Sequence, residues 1–190
     1  MVSRTRLFRA MLRSAWRLNS TRWRRLRVAV SRAATRFTVD GTTPQALLVA
    51  LAQGRPSGAD ADVPAAVRYD VKASCQWREN EVGLCRPDCR VTVKIAEALP
   101  EWSGGGSADL SARWDAYRAA VEAHVESHAA LAIQQANDLG AAVAALGTTA
   151  CGGLQSRIDA ETLRLESDYK TRHGQYDRYC AATAGCLPSL

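Results

Sequence analysis

The sequence predicts an α+β fold in which a small antiparallel sheet packs on one long helix and on a second, C-terminal helix. Three observations lead there. Two stretches that alternate apolar and polar residues, Val67 to Cys75 and Cys89 to Ile95, come before the helical part of the chain, as half-buried strands do. From Arg113 to Gln135 the chain is rich in Ala, Leu, Gln, Glu and Arg and contains neither Gly nor Pro, the composition of a long helix. Beyond Gly153, the spacing of Leu154, Ile158 and Leu165 makes an apolar helical stripe. No repeated β-α-β order is present, so a doubly wound parallel sheet is not expected.

Residues 1–36 carry eleven arginines, no lysine and no acid, which leaves 14 basic and 19 acidic residues over 37–190. The net charge of +6 therefore conceals a mildly acidic folded part. Residues 1–35 read as an Arg-rich leader or disordered tail. They lack the uninterrupted apolar core of a secretory signal, and Arg27 and Arg32 interrupt the run that should follow the Arg24-Arg25 pair. Such a segment offers nonspecific polyanion contact through residues 1–36, because phosphate attraction needs charge rather than a fold.

A short strand is expected from Arg36 to Gly41, then a helix in which Thr43 caps and Pro44 takes the first turn. Gly54 to Pro64 reads as a surface loop. The two alternating strands follow and should pair antiparallel, with Leu99-Pro100-Glu101-Trp102 ending the sheet. Ser103-Gly104-Gly105-Gly106-Ser107 is a flexible link, and without a Gly-Lys-Ser/Thr ending it is no phosphate loop. Asp109 or Ser111 can cap the long helix, whose pattern resumes after Gly140 as far as Leu146. The last helix is expected to end near Tyr169, before Thr171-Arg172-His173-Gly174. That gives one domain over 36–175 and a tail over 176–190. No twenty-residue apolar run exists, so no transmembrane segment is expected.

The six cysteines, Cys75, Cys85, Cys89, Cys151, Cys180 and Cys186, lack the paired spacing of a zinc ribbon and read as disulfides. Cys151 with Cys89, and Cys180 with Cys186, are the expected pairs. Disulfides imply an oxidising, extracytoplasmic compartment, periplasmic or secreted, with the cytoplasm as the alternative.

On the long helix, Tyr117, Val121, His124, His128, Leu131 and Gln135 share one stripe at about 100° per residue. An i, i+4 histidine pair on a rigid helix can share one ion, although two core histidines held by local hydrogen bonds give the same pattern. The chain holds only three histidines, so a minimal set of three zinc ligands would use His124, His128 and His173.

With these pieces in order, the chain resembles the bacterial domain-of-unknown-function family described as predicted secreted zinc-dependent proteases. The resemblance runs from about Arg36 to Gly174. It rests on Phe37-Thr38-Val39-Asp40-Gly41-Thr42, Cys89-Arg90-Val91-Thr92-Val93, Leu99-Pro100-Glu101-Trp102, the Trp114-led helix with its histidine pair, and Asp168-Tyr169-Lys170-Thr171-Arg172-His173-Gly174. It implies a zincin-like fold, Zn2+ as cofactor, a peptide or protein substrate, and His124, His128 and His173 as ligands.

One position departs from the family. The family's helix reads His-Glu-x-x-His, and its Glu activates water beside the metal; here that position is Val125, which takes no proton. Glu126 is the nearest substitute, but it stands about 200° from His124 on an ideal helix and needs a distortion to reach the ion. The sequence thus predicts a zinc-binding, metallopeptidase-like domain of reduced or absent activity. An active protease using Glu126 is one alternative. Another is a metal-free, disulfide-stabilised interaction domain with a polyanion-binding tail. Restoring the carboxylate by Val125→Glu is expected to raise hydrolysis at least about tenfold.

Overall fold

The computed structural model describes residues 27–54, 65–183, 186 and 188–190. The leader up to residue 26 and most of the Gly54 to Pro64 loop lie outside the described residues. The elements run β1 (Arg27–Val39), α1 (Pro44–Gly54), β2 (Ala66–Gln76), β3 (Leu84–Cys85), β4 (Asp88–Trp102), α2 (Ala108–Ala145), β5 (Thr149–Ala150) and α3 (Leu154–Ala182). The fold is α+β, with one sheet, a long helix and a C-terminal helix as expected, but the sheet is mixed. Its order is β1-β4-β2, and a two-stranded β3-β5 ladder stands apart from it.

β2 lies antiparallel to β4, with Tyr69 opposite Ile95 and Cys75 opposite Cys89. β1 runs parallel to β4 from Arg27 opposite Arg90 to Val39 opposite Trp102. The strand therefore begins nine residues before Arg36, inside the stretch assigned to the tail. Its arginines mislead: Arg32 sits opposite Ile95 on the inner face and reaches Glu97 and Glu126, so its charge is used within the fold. The Leu99 to Trp102 stretch forms the last four residues of β4, and the chain leaves the three-stranded sheet there as expected.

Two apolar clusters join the sheet to the helices. Val71, Val91, Val93 and Ile95 meet Ala129, Ala132, Ala136 and Leu139 of α2 and Leu154, Ile158 and Tyr169 of α3. A second cluster gathers Val39, Leu47, Leu51, Leu110, Trp114, Tyr117, Val121 and Val125. The alanines of α2 allow close approach to the sheet, so the helix buries its face with small residues as well as large ones.

α1 begins where expected, with Thr43 Oγ1 accepting from the Ala46 amide at 3.2 Å. α2 is capped by Ser107, whose Oγ accepts from the Leu110 amide at 3.2 Å, instead of by Asp109 or Ser111. It runs unbroken through Gly140 for 38 residues. Gly104 and Gly105, at φ 90° and 96°, turn the chain from β4 into this helix in a backbone region that suits glycine.

α3 does not stop near Tyr169. It runs for 29 residues to Ala182, so the first seven residues of the expected 176–190 tail are helical and His173 lies inside a helix. Gly174 does not end it: interior glycine costs a helix only about 1 kcal/mol, and tertiary packing outweighs that. Tyr169 anchors this helix, fully buried, with its hydroxyl donating to Asp138 at 2.6 Å; burial and Asp138 push its pKa up to about 12.

The disulfides are Cys75–Cys89, Cys85–Cys151 and Cys180–Cys186. The last pair was expected; Cys151 with Cys89 was not realised. Cys75 faces Cys89 directly across β2 and β4, so register assigns that thiol, and Cys151 instead closes the β3-β5 ladder onto Cys85. Three disulfides fit an oxidising, extracytoplasmic environment. Among the described residues no helix is long and apolar enough to cross a membrane.

Candidate metal centre

α2 and α3 pack against each other, and each brings two polar side chains one turn apart to the contact. α2 supplies His124 and His128; α3 supplies His173 and Asp177. All three histidines are buried, at 4, 5 and 6% exposure. The structure thus brings together the three residues singled out in the sequence, and adds a fourth.

Their arrangement differs from a three-histidine set. His128 Nε2 lies 3.0 Å from His124 Nε2 and 2.8 Å from Asp177 Oδ1, and His124 Nε2 is 3.5 Å from the same oxygen. These three atoms form the group that could hold a metal ion. His173 meets the other edge of His128, Nδ1 to Nδ1 at 2.6 Å. The candidate group thus includes Asp177, one turn further along α3, and not His173. Sequence reasoning missed Asp177 because the helix was ended too early; extending it past Gly174 puts residues 173 and 177 on one face.

The donor set suits a divalent cation. Two imidazole nitrogens and one carboxylate oxygen are the ligands that borderline metals take. Asp177 Oδ1 is buried and accepts no aligned hydrogen bond despite its two nitrogen neighbours, as an oxygen waiting for a cation would. The side chain of Asp177 is 30% exposed and Tyr176 is half-buried, so the group has an open flank. Tyr176 packs its ring 5.0 Å from that of His124 and 5.3 Å from that of His128.

Burial, with the neighbouring His128 charge adding to it, lowers the His173 pKa to about 4, while Asp177 pulls the other way. Burial raises the Tyr69 pKa, and the negative charge of Asp177 adds to that. Near neutral pH His173 is therefore a neutral imidazole and Tyr69 a neutral phenol.

Neither position considered for a general base reaches the group. Val125 is 2% exposed and belongs to the second apolar cluster. Glu126 pairs with Arg32 Nη2 at 2.6 Å, and Arg32 Nε pairs with buried Glu97 at 2.6 Å. A hollow of about 360 Å3, lined by Arg36, Trp102, Trp114 and Arg118 among others, opens along the first turns of α2 and includes none of the histidines.

A family model described as a bacterial protein of unknown function (DUF922) matches residues 34–183. No curated protein matches the chain, and no solved structure does.

Proposed function

The chain belongs to that bacterial family of unknown function, and from this premise we propose that it is an extracytoplasmic zinc-binding domain of metallopeptidase type with little or no peptide turnover. One observation carries the reading: His124 Nε2, His128 Nε2 and Asp177 Oδ1 converge from two helices, within 4.8 Å of one another. Three protein ligands with an open flank are the pattern of reactive zinc sites, whereas structural sites are closed by four.

His124 and His128 fix two ligand directions through the rigid backbone of α2. Asp177 brings a negative charge from α3 and ties the two helices at the ion. Zinc, when bound, supplies Lewis acidity. Neither position considered for a general base places a proton acceptor at the group, since Val125 is apolar and Glu126 is held by Arg32. A missing general base costs about a hundred- to ten-thousandfold in rate, which is why turnover is assigned as low or absent. That ion pair also weighs against an active protease using Glu126. A metal-free interaction domain remains as the second reading, because the three histidines also hydrogen-bond to one another. Residues 1–36 would add nonspecific attraction for polyanions in either case.

Metal analysis of protein purified from an oxidising compartment tests the proposal. One zinc per chain in the wild type, loss of it in His124→Ala and Asp177→Ala, and peptide hydrolysis at background are expected. Wild-type protein that excludes zinc at micromolar concentration returns the histidines to a core role. Robust hydrolysis that survives Glu126→Gln shows a base elsewhere.

A further inference from the structure

We propose that His173 is a positioning residue and not a metal ligand: it holds His128 in the tautomer whose Nε2 lone pair faces His124 and Asp177. This rests on the metal reading above and adds how the site is prepared for the ion.

The contact is unusually well defined. The Nδ1 atoms of His128 and His173 stand 2.6 Å apart, and the rings lie within 6° of one plane with centroids 5.0 Å apart. The rings therefore meet edge to edge, not face to face. At that distance the two nitrogens hold one proton between them, so one donates and the other accepts.

The two choices differ at the far edge of His128. If His173 donates, neutral His128 carries its proton on Nε2, which then points at His124 Nε2, 3.0 Å away, and presents no lone pair to a cation. If His128 donates, its Nε2 is a lone pair. A cation at the point where His124, His128 and Asp177 converge selects the second choice, since only then does His128 Nε2, 2.8 Å from Asp177 Oδ1, offer it a lone pair.

His173 is itself held in place. The ring of Tyr69 stacks on it at 4.4 Å and 18°, attaching it to the sheet, and its buried Nε2 has no hydrogen-bond partner among the described residues. Its placement also argues against ligation. On an imidazole ring Nδ1 and Nε2 point in nearly opposite directions, so the body of His128 stands between His173 and the point where His124, His128 and Asp177 converge. Outer-shell partners of this kind fix ring orientation and tautomer in metal-binding histidines.

Zinc affinity by chelator competition, measured for wild type, His173→Leu and His173→Asn, reads the claim. Asparagine keeps an acceptor oxygen near the Nδ1 position; leucine does not. His173→Leu should bind zinc about 10- to 100-fold more weakly than wild type, and His173→Asn should recover most of that loss. Leucine binding zinc as tightly as wild type overturns the inference while leaving the metal site intact. Asparagine as weak as leucine, with one imidazole fewer on the ion, makes His173 a ligand and overturns it too. Wild type that binds no zinc removes the metal reading and this role together, whereas a wild type that binds zinc and a leucine variant that equals it overturn this role alone.

Discussion

Replacing Val125 with Glu separates the helix geometry expected from the sequence from the packing that the structure reveals. On the family pattern the new carboxylate would stand beside the ion and raise hydrolysis. In the structure Val125 is 2% exposed and shares a cluster with Val39, Leu47, Leu110, Trp114 and Tyr117. A glutamic acid placed there stays protonated to avoid burying its charge. Holding it neutral at pH 7, against an ordinary pKa of about 4.3, costs ~3–4 kcal/mol at about 1.36 kcal/mol per pH unit. Its unpaired polar atoms cost a further ~1–3 kcal/mol. The total, ~5 kcal/mol, is comparable with the whole stability of a small domain. A raised carboxyl pKa stabilises least at high pH, so the loss should grow as pH rises from about 4.3 to 7. Val125→Gln has similar size and polarity but does not titrate, so its loss should be smaller and flat with pH. Urea unfolding of both variants at pH 5 and pH 7, with disulfides intact, measures this, and a peptide assay with zinc runs alongside. A Val125→Glu protein of wild-type stability at both pH values, with hydrolysis raised tenfold, would refute the reasoning and restore the family geometry.

Four further expectations follow from the same structure. Arg32→Met should destabilise by about 2–3 kcal/mol, because it strands the carboxylate of Glu97, which is 4% exposed; the 41% exposure of Arg32 keeps the cost at the low end for a broken buried pair. Glu126→Gln, at a carboxylate 59% exposed, should cost under about 1 kcal/mol in the same unfolding assay. Removing Cys85–Cys151, which closes 66 residues, should cost about 4 kcal/mol against about 3 kcal/mol for Cys75–Cys89, which closes 14; denaturation of the paired serine variants that reverses this order would contradict the assigned bridges. In metal-free protein His173 has its pKa lowered to about 4, so its stabilising contribution is complete above the unfolded value of about 6.5 and is lost as pH falls towards 4; an NMR titration showing His173 charged at pH 6 would exclude this.

Much of the fold was legible because local pattern carries it. The alternation of Val67 to Cys75 and Cys89 to Ile95 marks β2 and the first half of β4, and the helical stripe places Tyr117, Val121, His124, His128 and Gln135 inward, all of them buried. Leu131 on that stripe is only half-buried, whereas Ala129 and Ala132 beside it are fully buried in the cluster that meets the sheet. What local pattern could not show is partnership. The parallel pairing of β1 with β4 joins residues far apart in sequence, and the strand is hidden among arginines, one of which, Arg32, has its partner Glu97 65 residues away.

The site was read in the same proportion. His124 and His128 declared themselves by spacing on one helix. His173 was found by counting histidines, but its side of the His128 ring is a matter of tertiary packing that no spacing encodes. Asp177 carries a usable signal, four residues beyond His173, but a helix that ends near Tyr169 leaves it outside.

Anomalous scattering at the zinc absorption edge, from crystals of the full chain grown with zinc, tests the central claim most directly. The account predicts one peak at about 2.0–2.1 Å from the Nε2 atoms of His124 and His128, with Asp177 as the third ligand and His173 outside the coordination sphere. A peak that takes His173 in place of Asp177, or no peak at the α2–α3 contact, would contradict it.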